Sequence, residues 1–295
     1  MKQPFKFKIS LFILGGLFIF NYPTLYAQEK NMTNHSYSPF YRPDVYRYCD
    51  SLQIDFSQEY LRLINPIRNT DKEITEMVKG YTVKADTLFS SICRIYDDSY
   101  QLTYTRITPQ NGVLGKNYQH IQMYISPRIN QEYPLHFTVR GKSKVNHNIC
   151  NFNGYIEITH IFSSTEDYPY NYMIGKYEFK EDSSQKGSGI FKGICSFDVK
   201  VDTINKIINL DEDFAIADGY NNRNYVGIWE SYSRGTVKKC IWGDYRLPFT
   251  FDFDSGDGMM IVDPKYVNNG WNDFNTGDEF HEVNDRLELI DKWWE

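Results

Sequence analysis

Apolar and polar residues alternate with a period of two along much of the chain between Gln101 and Trp242. That spacing places successive side chains on opposite faces of an extended strand, so one face can be buried while the other stays wet. Residues 101–107 and 120–125 carry the pattern, the second through Ile121, Met123 and Ile125. Leu135, Phe137 and Val139 repeat it against His136, Thr138 and Arg140, and residues 155–162, 173–180, 189–201, 204–210, 225–233 and 237–242 continue the series. Short joints rich in Asn, Gly, Asp and Ser separate the runs, at 151–154, 181–187, 218–219 and 243–244, and these are hairpin signals. Parallel strands need crossovers of a dozen or more residues, and no helical period of that length lies between these runs. The pattern therefore predicts an all-β fold over residues 86–262, an antiparallel lipocalin-like barrel or a sandwich. Closure removes exposed edges, which favours the barrel.

The period changes at both ends. Val45, Cys49, Leu52, Phe56, Tyr60 and Leu63 recur at steps of three and four, predicting a helix over 44–64 that Asn65-Pro66 ends. Thr70 and Glu73 have the spacing of a capping box for a second helix reaching Lys79 before Gly80. Residues 42–85 are thus expected to form a helical N-terminal element. In the C-terminal extension, 263–295, Val283, Leu287, Ile290 and Trp294 predict a short helix capped by Asn284, with Trp293-Trp294 docking on the β domain.

Ahead of all this, Lys2, Lys6 and Lys8 precede an uncharged apolar run over 9–20, followed by Asn21-Tyr22-Pro23-Thr24. This is the layout of a signal peptide over 1–27, cleaved after Ala27. The run falls short of the roughly 20 residues that cross a bilayer, so no stable membrane span is expected after cleavage. Leu25 is larger than the small residue preferred at its place, and Gln28 rather than Cys follows the cut, so a lipid-anchored Cys is not expected. Residues 28–41 read as a flexible polar lead-in. The expected product is periplasmic or secreted.

Composition supports strands: 17% of the chain is aromatic, with 24 Tyr and 20 Phe. Without residues 1–27, 29 basic residues face 38 acidic ones, a charge near −9. Nucleic acid is a poor partner for such a chain, and Lys142, Lys144, Lys238 and Lys239 are the nearest approach to a basic cluster. The five cysteines, at 49, 93, 150, 195 and 240, include no C-x-x-C pair, which removes support for zinc-ribbon or thioredoxin-like chemistry. An echo links two stretches, in which Arg140-Gly141 leads through lysines to Cys150 and Arg234-Gly235 leads through lysines to Cys240. It suggests a Cys150–Cys240 disulfide.

Candidate chemistry is sparse. Asp252, Asp254 and Asp257 lie within six residues beside Gly256 and Gly258, which makes calcium the one cofactor to consider, although the EF-hand register fails because Gly256 falls where that loop needs an oxygen ligand. His281-Glu282 lacks the second His of a zincin, since Asp285 stands there. Ser188 lacks the outer glycines of a nucleophile elbow, with Lys186 and Ile190 in their places. Cys150 has His147 and His160 nearby in sequence only. Gly227-Ile-Trp229 resembles the Gly-x-Trp of calycins such as lipocalins, where it lies on the first strand, whereas here most predicted strands precede it. Tyr225-Val-Gly-Ile-Trp-Glu-Ser-Tyr, with Lys239-Cys-Ile-Trp-Gly-Asp-Tyr-Arg-Leu-Pro248 and Tyr266-Val-Asn-Asn-Gly-Trp271, is similar to functionally uncharacterised exported β-rich proteins of Gram-negative gut bacteria. That resemblance covers roughly 138–271 and implies export and class, not mechanism.

Three roles follow. The first is an exported non-enzymatic β-rich protein that binds a protein or cell-envelope component. The second is a carbohydrate-binding module in which Trp229, Trp242 and Trp271 stack on sugar faces. The third is a hydrolase whose acids, or a Cys and a His, converge only in the fold.

Overall fold

The computed structural model describes residues 72–96, 102–129, 135–163, 171–211, 223–244, 246–250, 252–256, 260–272 and 292–295. In chain order the elements are β1 (Lys72–Glu73), α1 (Thr75–Val78), β2 (Thr82–Val83), α2 (Ala85–Phe89), β3 (Ser91–Tyr96), β4 (Leu102–Thr108), β5 (Gln110–Leu114), β6 (Gln119–Ile129), β7 (His136–Val145), β8 (Asn148–Ser163), β9 (Asn171–Glu181), β10 (Gly189–Asp202), β11 (Ile207–Leu210), β12 (Arg223–Ser231) and β13 (Val237–Gly243). A 3₁₀ turn over Pro264–Asn269 follows.

Strands β5, β6, β7, β8, β9, β10, β12 and β13 pair with their neighbours in that order, all antiparallel, and β13 returns to β5 through Cys240↔Leu114 and Trp242↔Gly112. The sheet closes into an eight-stranded barrel, so the barrel alternative holds and the sandwich does not. Off the barrel, β11 hairpins back on the end of β10 at Val199↔Leu210 and carries β2 parallel to it, and β1 pairs with the end of β8 at Lys72↔Ser163. Strands β3 and β4 form a separate ribbon, and Pro109 separates it from β5.

Alternation decides what enters the barrel. Phe137, Phe152, Phe179, Phe191, Phe197, Tyr177, Tyr225 and Trp242 all belong to the interior cluster and are essentially inaccessible to solvent. Trp242 stacks on Tyr225 with centroids 4.9 Å apart and meets Tyr177 edge-on at 5.0 Å. Rings this large fit because glycines face them: a Cβ at Gly193 or Gly227 would stand 2.9 or 2.8 Å from the Tyr177 hydroxyl. At one end α1 and α2 plug the barrel with Val78, Leu88 and Phe89, and the Phe89 ring sits edge-on to Phe137 at 4.8 Å and Phe197 at 5.1 Å. A second cluster lies on the outer wall, where residues from 247 to 271 cover Val113, Ile194, Val226 and Ile241.

Several expectations change. Asn151-Phe-Asn-Gly154 is not a turn but the middle of β8, where Asn153 pairs with Arg140 and Lys180. Gly243-Asp244 ends β13 and leads into the outer cover rather than another hairpin. Glu73 lies in β1, opposite Phe162, and the helix begins at Thr75, whose hydroxyl accepts from the Ile161 amide at 2.9 Å instead of joining a capping box. The division at 262 runs through one packed cluster, since Val262 and Trp271 share it. The predicted 44–64 helix, Thr70, the 218–219 turn and the body of the C-terminal helix lie outside the described residues. Trp294 does dock on the barrel wall, buried against Tyr124 at 6.4 Å.

Candidate functional site

Opposite the plug, the barrel ends in a polar cluster built around Glu181, the last residue of β9. Its side chain follows Met173, Tyr177 and Phe179 on the inward face, and only 5% of the residue is exposed. The Ser143 hydroxyl of β7 donates to Oε1, while the Gly189 amide of β10 and the Trp229 indole of β12 donate to Oε2 at 2.7 and 3.0 Å. Tyr232 donates its hydroxyl to the Glu181 carbonyl at 3.2 Å. One carboxyl thus ties four strands together at the rim. Burial raises its pKa more than these donors lower it. Gly189 is required here, because a Cβ would stand 2.8 Å from the Trp229 ring.

Cys150 lies at the same end. Its thiol accepts from Asn148 at 3.3 Å and faces the Lys186 carbonyl at 3.7 Å, and burial followed by the Glu181 charge pushes its pKa up. Such a thiol is a poor nucleophile. Cys150 and Cys240 are both free and buried, so the proposed disulfide is corrected. They lie on β8 and β13, four strands apart in either direction around the barrel and therefore on facing walls, whereas a disulfide needs Cα atoms within about 7 Å.

The plugged end holds a buried ion pair. Arg223, the first residue of β12, donates from Nε to Asp244 at 2.5 Å and from Nη1 to the carbonyls of Thr87 (2.7 Å) and Ser90. Ser91 donates to the other Asp244 oxygen at 2.5 Å, and the Tyr225 hydroxyl reaches the Phe89 carbonyl at 3.0 Å. Apart from the Arg223–Asp244 pair itself, which joins the start of β12 to the residue after β13, each of these contacts fastens α2 or the residues just after it to the wall. Gln110 buries both amide atoms with no partner among the described residues, at a cost of about 1–3 kcal/mol.

The remaining sequence candidates separate. Trp242 is enclosed in the barrel and Trp271 under the outer cover, where its indole donates to the Tyr118 carbonyl at 2.8 Å and its ring lies 4.0 Å from His120. Neither offers a ring face to a sugar, because each spends both faces on packing. Trp229 alone is partly exposed, at the rim, with the Lys238 ammonium 5.6 Å from its ring. Asp254 pairs with Arg246 at 2.8 Å and accepts the amides of Gly256 and Ile261. Asp252 accepts from Lys265 at 2.6 Å and from Tyr266 at 3.0 Å. Both aspartates are thus bound to cations of the outer cover, and Asp257 lies outside the described residues. Among the described residues no group of three or more His, Cys, Asp or Glu is arranged to hold a metal ion.

Glu181 and Arg223 were missed, yet each leaves a trace in the sequence. Each is a charge standing on the apolar phase of an alternating strand, after Tyr177 and Phe179 in one case and before Tyr225 in the other. Comparison with known proteins finds no match to this chain among family models, curated proteins or solved structures.

Proposed function

We propose that the protein is an exported, non-enzymatic barrel that works by binding a protein or cell-envelope component on its outer surface. The observation that carries this reading is the filled interior: aromatic rings in mutual contact occupy the space in which an open barrel would hold a small ligand. Export rests on the basic, apolar and polar order of residues 1–27, with release near Ala27 into the periplasm or beyond. No helix among the described residues is long and apolar enough to cross a membrane.

The test is saturable binding of the purified chain from Gln28 onward to isolated Gram-negative envelope, run beside a broad hydrolase substrate panel. Binding without turnover is the expected result. Turnover that disappears in Glu181→Gln would replace this reading with the hydrolase one, because Glu181 is the buried carboxyl beside a hydroxyl and a thiol.

A further inference from the structure

Four hairpins close the barrel on the Glu181 side, at 115–118 between β5 and β6, 146–147 between β7 and β8, 182–188 between β9 and β10, and 232–236 between β12 and β13. Their tips touch in a ring. Gln119 at the foot of the first donates to Asn146 of the second at 3.0 Å, and the Cys150 thiol at the foot of the second faces the Lys186 carbonyl of the third at 3.7 Å. The Tyr232 amide of the fourth donates to the Ser188 carbonyl of the third at 3.2 Å, and the Gly115 amide of the first to the Lys239 carbonyl of β13 at 2.8 Å. We infer that this collar binds an acidic glycan; the inference rests on the proposed surface-binding role and names its site and partner class.

Each tip presents a basic side chain next to a left-handed residue: Lys116 beside Gly115, His147 beside Asn146, Lys186 beside Gly187 and Arg234 beside Gly235. All four are exposed, as is Lys238 at the foot of the fourth tip. Asp182 is the one carboxylate on the tips, and it is engaged by the Ser184 amide at 2.9 Å and hydroxyl at 2.7 Å. Lys116, Lys186, Arg234 and Lys238 make no ion pair among the described residues, and the Lys238 ammonium lies over the Trp229 ring instead. The wall is built differently. There Lys176 pairs with Glu157 at 3.1 Å, Lys180 with Glu178 at 2.9 Å and Lys192 with Glu230 at 3.1 Å. At the plugged end the exposed Lys84 and Lys206 are accompanied by Asp86 and Asp202. In a chain with an excess of acid, four cations against one carboxylate give the collar a local field that attracts anions.

Shape and surroundings select among anions. Successive tips are two strand spacings apart, roughly 10 Å, so a chain of charged units reaches several cations where a single anion reaches one. Between the cations stand exposed amides and hydroxyls, among them Asn117, Ser183 and Thr236, suited to the hydroxyl groups of a sugar. Tyr232, 42% exposed, offers an aromatic face beside the third tip, its hydroxyl held by the Glu181 carbonyl at 3.2 Å. Cations, hydrogen-bonding groups and a ring around one rim fit a chain of uronate or sulfated sugars. An anionic membrane would ask instead for a group of protruding apolar side chains, and a protein partner for an apolar centre with few charges. Among the described residues Ile149 is the one exposed aliphatic side chain beside the collar.

The probes are polygalacturonate, neutral dextran, poly-L-glutamate and phosphatidylglycerol vesicles, titrated into the chain from Gln28 onward at low salt and at about 0.3 M salt, where exposed charges are screened beyond a few ångström. The expected result is saturable, salt-sensitive binding of polygalacturonate and none of dextran. The double variant K186E/R234E should bind polygalacturonate at least tenfold more weakly. K84E/K206E, which makes the same change of charge at the plugged end, should stay within twofold of wild type. All substituted side chains are exposed, and circular dichroism with a melting curve checks that the barrel is retained. If K186E/R234E does not fold, K116E/K238E takes its place with the same expectation. Absence of polygalacturonate binding, equal binding by the collar variant, or tighter binding of poly-L-glutamate or of the vesicles would each overturn the inference. If envelope binding persists undiminished in the collar variant, the collar fails as the site while the surface-binding role stands.

Discussion

Glu181 shows how one side chain can make the rim of the barrel sensitive to pH. Burial raises its folded-state pKa above that of the unfolded chain, so the native state holds the proton more tightly. Stability from this group is therefore complete below the unfolded carboxylate value and is lost as pH rises through the folded one. Glu181→Gln should remove that dependence. The amide of the variant carries a second N–H that the protonated acid lacks, and leaving it without an acceptor in this buried cluster costs about 1–3 kcal/mol. In urea titrations between pH 4 and pH 8, wild type is expected to lead the variant most at the acid end, with the gap closing as pH rises. A gap that widens with pH would mean that the carboxylate, not the acid, is the form the rim holds. The sequence displays Glu181 only as a break in the apolar phase of β9. Which donors surround it depends on residues 143, 189 and 229, which no local pattern connects.

At the scale of elements, the plug illustrates the same division. Residues 85–89 are too short to hold a helix by their own hydrogen bonds. Two things hold them: the fully buried Leu88 and Phe89, and the Arg223–Asp244 pair that grips the carbonyls of Thr87 and Ser90. Asp244→Ala would leave a buried guanidinium without its counter-charge, a loss of about 3–5 kcal/mol. Amide hydrogen exchange in the variant should speed up first across 85–90, while β6 to β9 keep their protection. Uniform loss of protection would show that the pair supports the whole barrel rather than the plug. Strands were the most legible elements, since β6 and β10 each keep one apolar phase over nine or more residues, and β7, β9 and β12 keep a shorter one. The length of β8 was less so, because Asn151, Asn153 and Gly154 imitate a turn. Neighbouring strands supplied their backbone partners and overrode that local preference.

For the whole molecule, the decisive quantity is the volume of the residues that alternation sends inward. Phe, Tyr and Trp fill an eight-stranded barrel, and the plug seals one end. Apolar probes such as a fluorescent naphthalene sulfonate or a long-chain fatty acid are accordingly expected to show no saturable binding to the native protein, as measured by fluorescence titration. Micromolar, one-to-one binding of such a probe would contradict the filled interior. By itself the sequence determined the class of the fold, its antiparallel order and its inward face, because a period of two is a local property that each strand carries alone. It determined the acidic surface in the same way, since charge is additive along a chain. Only the tertiary structure decided that the sheet closes, that Trp242 and Trp271 are core rather than platforms, and that Cys150 and Cys240 lie on opposite walls. Those facts depend on which strand lies beside which, and that order is set by long-range pairing between residues far apart in the chain.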